Sequence, residues 1–112
     1  MTVHIIEDDF AVADALAVLL SGVGHETVCY PDAESFFEAR PPNPDDSVIV
    51  DLGLPGLSGV QVVRWLEQMR QPPRIIVISG QSNNQIRRIF DEIRPVVFLR
   101  KPLTEEALVP YL

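Results

Sequence analysis

The sequence has few of the features that mark secreted, membrane-spanning or disordered proteins. Its single cysteine, Cys29, excludes an internal disulfide, and we expect this side chain to be buried as a small hydrophobic residue. No apolar run approaches the roughly 20 residues that cross a bilayer. The N-terminus also lacks the basic start and small-residue cleavage site of a signal peptide. We therefore expect a cytoplasmic protein without membrane association.

Basic residues are missing from the first third of the chain. Residues 1–39 contain eight acids and no Lys or Arg, whereas residues 40–112 contain eight acids and all nine bases. The formal net charge of -7 argues against direct binding of nucleic acid. Such an imbalance is either a solvated acidic surface or a set of carboxylates that holds a cation, and the positions of the acids must decide.

The composition that remains is typical of one globular domain over residues 1–112. Of the 112 residues, 46% are hydrophobic and 22% are charged, which excludes a disordered chain. Short apolar runs alternate five times with longer helical stretches. The predicted strands are Val3–Ile6, Glu26–Tyr30, Val48–Val50, Arg74–Ser79 and Val96–Arg100. The predicted helices are Phe10–Leu20, Asp32–Ala39, Ser58–Met69, Asn84–Ile93 and a short Thr104–Leu112.

Strict alternation of strands and helices predicts an α/β fold, an open parallel sheet with right-handed crossovers and helices on both faces. Functional groups of such sheets collect at the carboxyl ends of the strands. Glu7 and Asp8 follow the first predicted strand, and Asp51 follows the third. Ser79 ends the fourth strand, and Lys101 follows the fifth. We therefore expect these five side chains to meet at one edge of the sheet.

Carboxylates that converge without compensation would repel one another, so a cation is expected among them. Oxygen-only ligands suit Mg²⁺ or Mn²⁺, with Asp8 as a direct ligand and Glu7 acting through water. Asp51 is the candidate nucleophile for phosphoryl transfer, because a carboxylate can attack phosphorus and form an acyl phosphate. Lys101 and the Ser79 hydroxyl would each contact a phosphoryl oxygen.

Four segments resemble the receiver domains of two-component response regulators. They are IIEDD at 5–9, VIVDLGLPGLSG at 48–59, IIVISG at 75–80 and FLRKP at 98–102. The resemblance covers nearly the whole chain, and the second segment is similar to receivers of nitrogen-fixation-type transcription regulators. It implies a (βα)5 flavodoxin-like, doubly wound fold with strand order 2-1-3-4-5. Such a domain is not a classical enzyme, although it promotes its own aspartyl phosphorylation and dephosphorylation.

The resemblance also implies roles for individual residues. Asp51 would be the phosphoacceptor, and the backbone carbonyl of Gly53 would join Glu7, Asp8 and Asp51 at the metal. Ser79 and Phe98 would form the switch that responds to phosphorylation. The face formed by the fourth helix, the fifth strand and the fifth helix would change with them and could support a homodimer. A sensor histidine kinase would dock on a patch of four residues, Ala11, Val12, Ala15 and Leu103.

Two other functions compete with a phosphorylated receiver. One is a module of the same fold that signals without phosphorylation, and the intact set of Asp51, Ser79 and Lys101 argues against it. The other is a flavodoxin-like cofactor binder, which shares the sheet order. That function needs a hydroxyl-rich phosphate loop after the first strand, where this chain has acids that would repel the cofactor.

Overall fold

A computed structural model shows five parallel strands in one sheet and describes residues 2–52, 59–80, 97–101 and 103–112. The strands are β1 (Thr2–Ile6), β2 (Glu26–Tyr30), β3 (Ser47–Asp51), β4 (Arg74–Ser79) and β5 (Val97–Arg100). Their order across the sheet is β2-β1-β3-β4-β5, with every pairing parallel. The predicted fold class and strand order are therefore confirmed, and the strand boundaries differ from the predicted ones by one residue at most.

The described helices are α1 (Phe10–Gly22), α2 (Ala33–Glu38), α3 (Gly59–Glu67) and a C-terminal helix (Glu105–Leu108) that continues into a 3-10 turn at Val109–Tyr111. Side chains that precede three of these helices accept hydrogen bonds from their first turns, namely Asp9, Asp32 and Thr104, as expected for N-cap residues. The prediction of a short last helix is confirmed. The predicted fourth helix, Asn84–Ile93, lies outside the described residues. None of the helices that are described is long and apolar enough to cross a membrane.

The sheet separates two hydrophobic cores. Alternation along the strands sends Ile6 and Val50 to one face and Ile5 and Ile49 to the other. The first core packs against α2 and α3, and the second packs against α1 and the C-terminal helix. Strand β3 is buried along its whole length, as expected for a central strand covered on both faces. The sheet is therefore held from both sides, and its carboxyl edge has a fixed position.

Strand β2 lies at an edge of the sheet and is mostly exposed. Cys29 in this strand is exposed, so the prediction that it is buried was wrong. The physical reason is its position, because an edge strand pairs on one side only and its side chains reach the margin of the core. The thiol sulfur lies 3.9 Å from the carbonyl oxygen of Ala13 in α1.

A polar network in the first core joins Asp46, which precedes β3, to His4 in β1 and to Tyr30, the last residue of β2. His4 Nε2 donates to Asp46 Oδ2 at 2.9 Å, and His4 Nδ1 lies 3.0 Å from the hydroxyl of Tyr30. Asp46 also accepts hydrogen bonds from the backbone N–H groups of Thr2 and Asn43, each at 3.0 Å. These bonds tie β1, β2 and the segment before β3 together. Buried polar groups that are paired in this way stabilise a fold without leaving unsatisfied atoms.

Candidate functional site

Three carboxylates converge at the carboxyl edge of the sheet. Glu7 and Asp8 directly follow β1, and Asp51 is the last residue of β3. Because β1 and β3 are neighbours, with Ile6 opposite Val50, the side chains that follow them meet. One oxygen from each of the three acids lies within 4.8 Å of the others. Glu7 and Asp51 are buried, whereas Asp8 is exposed. We call this group the acidic cluster.

Lys101 provides the positive charge at this cluster. Its Nζ lies 2.8 Å from Glu7 Oε2 and 3.2 Å from Asp51 Oδ2. The lysine follows β5, and its backbone N–H donates to the carbonyl oxygen of Ser79 at 3.0 Å. This bond extends the β4–β5 ladder by one residue and directs the lysine side chain towards the acids. The prediction that Lys101 lies with the carboxylates is therefore confirmed as a matter of geometry.

The electrostatics of the cluster favour extra positive charge. The pKa of Glu7 is raised to about 7, chiefly by burial and in part by the neighbouring Asp51, although Lys101 and the backbone N–H of Asp9 oppose the rise. Burial alone would lower the pKa of Lys101, but Glu7 and Asp51 together raise it above its ordinary value. Both pKa values are raised, so each group holds its proton more tightly. The negative charge of the neighbouring carboxylates favours the protonated form in both cases.

The chain geometry around Asp51 depends on a close approach between α3 and β3. A Cβ atom added at Gly59 would lie 2.5 Å from the carbonyl oxygen of Asp51 and 2.9 Å from Cα of Leu52. Only glycine allows the first turn of α3 to lie against the end of β3 in this way. Leu52 then donates its N–H to the carbonyl oxygen of Ile78 at 3.1 Å. The end of β3 is thus fixed between α3 and β4.

Two other predicted site residues lie close to the cluster in the fold. Ser79 ends β4 and is fully buried. Phe98 lies in β5, opposite Val77 of β4, and packs in part against the core that faces α2 and α3. Gly53, predicted to offer its carbonyl to the metal, lies outside the described residues.

The acidic cluster fits a hard divalent cation. Its donors are all carboxylate oxygens, and Lys101 pairs with two of the three acids. Mg²⁺ or Mn²⁺ would bring the formal charge to zero, and both prefer oxygen ligands. Asp8 and Asp51 are the residues that would bind such an ion, with Glu7 beside them.

The four residues of the predicted kinase-docking patch lie together. Ala11, Val12, Ala15 and Leu103 line a groove of about 470 Å³ between α1 and the residues after β5. Leu16 and Leu19 add apolar surface, and Lys101 lies at the same groove. The groove is therefore adjacent to the acidic cluster.

Sequence reasoning missed one feature of the site. It assigned no role to Gly59, whose need for close approach depends on how α3 packs. It expected Lys101 among the carboxylates, and the structure shows that the lysine pairs with Glu7 and Asp51.

A search of protein families matches residues 3–112 to the response regulator receiver domain. The transcriptional regulatory protein FixJ of Bradyrhizobium diazoefficiens is 27% identical over 95% of this chain and 52% of its own length. The response regulator protein TodT of Pseudomonas putida is 30% identical over 96% of this chain and 47% of its own length. The chain thus spans about half the length of the curated relatives that it matches.

Solved structures show the same fold. The full-length FixJ from B. japonicum superposes with a TM-score of 0.82 at 26% identity, covering 97% of this chain and 54% of that one. A CheY-like receiver domain from Methanospirillum hungatei superposes with a TM-score of 0.84 at 17% identity, covering 97% of this chain and 87% of that one.

Proposed function

Because this chain belongs to the response regulator receiver domain family, we propose that it accepts a phosphoryl group on Asp51 from a sensor histidine kinase in a reaction that depends on Mg²⁺ or Mn²⁺. Receiver domains are regulatory domains of two-component systems rather than classical enzymes. The observation that carries the proposal is the acidic cluster itself, in which Lys101 Nζ lies 3.2 Å from Asp51 Oδ2 and two further carboxylates adjoin it.

The chemistry needs a carboxylate nucleophile beside groups that neutralise a phosphoryl group. An oxygen of Asp51 forms the new P–O bond as the P–N bond to the kinase histidine breaks, and the imidazole leaves with the bonding electron pair. Lys101 is close enough to Asp51 to exchange its ion pair for one with a phosphoryl oxygen. Asp8 and Asp51 would hold the metal, with Gly53 contributing its carbonyl. The bound ion would neutralise charge on the transferred group.

Ser79 and Phe98 are proposed to carry the response to phosphorylation. Ser79 lies at the end of β4, where its carbonyl accepts the backbone N–H of Lys101. Its hydroxyl would bond a phosphoryl oxygen on Asp51. Phe98 is half-buried on the neighbouring strand and has a side chain that can turn further inward. The face that changes on phosphorylation would then include β5 and the C-terminal helix, where a second copy of the chain could bind. The predicted fourth helix of that face lies outside the described residues.

The kinase is proposed to dock in the groove formed by Ala11, Val12, Ala15 and Leu103. Support comes from its apolar lining and from Lys101, which lines the groove and also contacts Asp51. Val12→Asp places a charge in this apolar groove and should slow transfer from the kinase by about tenfold or more, because burying an unpaired charge costs more than about 1.4 kcal/mol. Phosphorylation by a small phosphodonor should remain unchanged in the same variant. Equal loss with both donors would contradict the docking role.

The central experiment is intact-protein mass spectrometry after incubation with acetyl phosphate and Mg²⁺. We expect a mass increase of one phosphoryl group, which EDTA and Asp51→Asn each abolish. Asp45→Asn is the matched control, because Asp45 is an exposed acid outside the cluster and its variant should gain the same mass. A wild-type chain that gains no mass from acetyl phosphate or from any histidine kinase would favour a module that signals without phosphorylation.

A further inference from the structure

A second cavity opens beside the acidic cluster, between the first turn of α1 and the carboxyl end of β2. Its volume is about 250 Å³, and its lining includes Phe10, Ala13 and Tyr30 together with the acids Glu7 and Asp8, of which Asp8 is exposed. It shares no residue with the groove proposed for the kinase. This cavity therefore belongs to a different face of α1.

Phe10 makes this cavity unusual. Its side chain is 82% exposed, more than any other large hydrophobic residue in the described part of the chain. An aromatic ring left in water gains nothing for the fold, although scattered exposed apolar residues are ordinary. Here the exposed ring is not isolated, since it lines a cavity together with the exposed acid Asp8. An aromatic ring and a carboxylate beside it together form an environment that attracts cations.

The chemistry of the lining selects a particular kind of cation. Lys and Arg have an apolar stem that packs on apolar surface and a charged head that seeks carboxylates. The walls at Phe10 and Ala13 suit the stem, and Asp8 suits the head because it is exposed whereas Lys101 pairs with Glu7 and Asp51. A guanidinium can in addition lie on the face of an aromatic ring.

Acidic residues adjoin the cavity. Asp14 lies one turn after Phe10 on α1 and is exposed. Asp32 follows Pro31, which also lines the cavity. No Lys or Arg occurs among residues 2–39, so nothing on these elements offsets the field. Such a surface attracts a basic partner and repels a second copy of this chain or a nucleic acid.

We propose that this surface, formed by the cavity together with Asp14 and Asp32 and here called the Phe10 surface, binds a basic segment of a partner protein. One Arg or Lys side chain of the segment enters the cavity along Phe10 and pairs with Asp8. Neighbouring basic residues of the segment lie opposite Asp14 and Asp32. The interaction needs neither phosphorylation nor the groove proposed for the kinase.

The test uses a short probe peptide, acetyl-Gly-Arg-Gly-Arg-Gly-amide, titrated into the full chain in EDTA without a phosphodonor. Amide shifts in NMR spectra give both the affinity and the place of binding, and these conditions make the result independent of the proposed phosphorylation. We expect the shifts to concentrate at Phe10, Ala13 and Cys29. A matched peptide with citrulline in place of arginine keeps the shape but loses the charge, and it should bind about tenfold more weakly.

Two variants and one control distinguish binding at the Phe10 surface from nonspecific attraction between the basic peptide and an acidic protein. Phe10→Ala should weaken the arginine peptide about threefold through loss of the ring, and Asp14→Asn should weaken it about twofold. Asp45→Asn removes the same charge from an exposed position elsewhere and should leave the affinity unchanged. The proposal is overturned if citrulline and arginine peptides bind equally, or if Asp45→Asn acts as strongly as Asp14→Asn. Concentration-dependent shifts at Phe10 without any peptide would assign the surface to a second copy and would overturn it too.

Discussion

Asp46 and Glu7 are both buried acids of the same sheet, yet their pKa values move in opposite directions. Burial would raise the pKa of Asp46, but hydrogen bonds from His4 and from the N–H groups of Thr2 and Asn43 lower it below its usual value. Burial raises the pKa of Glu7 to about 7, and the bonds from Lys101 and Asp9 do not reverse it. The exposed fractions are nearly equal, 5% for Asp46 and 2% for Glu7. The supply of donors to Asp46, together with the heavier desolvation of Glu7 beside Asp51, therefore accounts for the difference.

The comparison distinguishes Asp46, a carboxylate that stabilises the fold, from Glu7, a carboxylate at a site that can bind a ligand. Asp46 has three donors to itself. Glu7 shares one lysine with Asp51 and has a third acid nearby. Like charges held together by the sheet cost free energy that an incoming cation can recover. The network around Asp46 is thus arranged for stability, and the acidic cluster is arranged to bind.

The largest expected effect comes from removing the satisfied carboxylate. Asp46→Ala deletes the acceptor of three hydrogen bonds, one buried and two part-buried, and should lower the free energy of unfolding by about 3 kcal/mol. Urea denaturation near neutral pH measures it, and Asp45→Ala is the control, because substitution of an exposed neighbour changes stability by only about 0.5 kcal/mol or less. If the two variants lost equal stability, the network would have no special role.

The second prediction concerns the acidic cluster. A cation that relieves the acidic cluster should stabilise the fold, by about 1.4 kcal/mol at a free Mg²⁺ concentration tenfold above its Kd. Thermal unfolding with and without Mg²⁺ measures the gain. Asp8→Asn should reduce it strongly, whereas Asp46→Asn should leave the gain intact despite a lower starting stability. A wild-type melting temperature that does not respond to Mg²⁺ would contradict a metal site.

The acidic cluster at the carboxyl edge of the sheet could be predicted from the sequence. Hydrophobic periodicity gave the alternation of strands and helices, and parallel strands bring their carboxyl ends to one edge. The residue that follows each strand is therefore placed by topology alone. Glu7, Asp8, Asp51 and Lys101 meet for this reason, and no detail of side-chain packing was needed to expect it.

The hydrogen-bonded network around Asp46 could not be predicted in the same way. His4, Tyr30 and Asp46 are 26 and 42 residues apart in the pairs that bond, and no periodic pattern connects them. Their contact depends on strand register and on the packing of side chains within a core. The exposure of Cys29 was missed for a different reason. The implied strand order already puts β2 at an edge, but the burial of Cys29 was predicted from its residue type alone.

The third prediction removes one bond from the network. Burial and the nearby Asp46 carboxylate raise the pKa of the Tyr30 phenol, so its hydroxyl stays protonated and can donate to His4 Nδ1 at 3.0 Å. Tyr30→Phe keeps the ring, which packs edge-on to Phe36, and should cost about 1 kcal/mol of unfolding free energy. Equilibrium urea curves suffice to detect it. An unchanged midpoint would mean that water replaces the hydroxyl without loss.

The last prediction separates the two acids by the pH at which each acts. The folded pKa of Asp46 lies below its usual value of 3.8, so its contribution is present above that pH and is lost as the pH falls through the folded value. The folded pKa of Glu7 is raised from 4.5 to about 7. The folded chain therefore binds more protons in that range, and stability declines as the pH rises through it. Unfolding free energies of the metal-free chain across both ranges test this.

Asp46→Asn should flatten the acid side of the stability curve, and Glu7→Gln should flatten the decline between pH 4.5 and about 7. Each variant should leave the other side of the curve unchanged, because the two groups lie in separate clusters and sites without shared partners act additively. The two acids would be coupled, and the comparison between the two clusters would fail, if either substitution altered both sides.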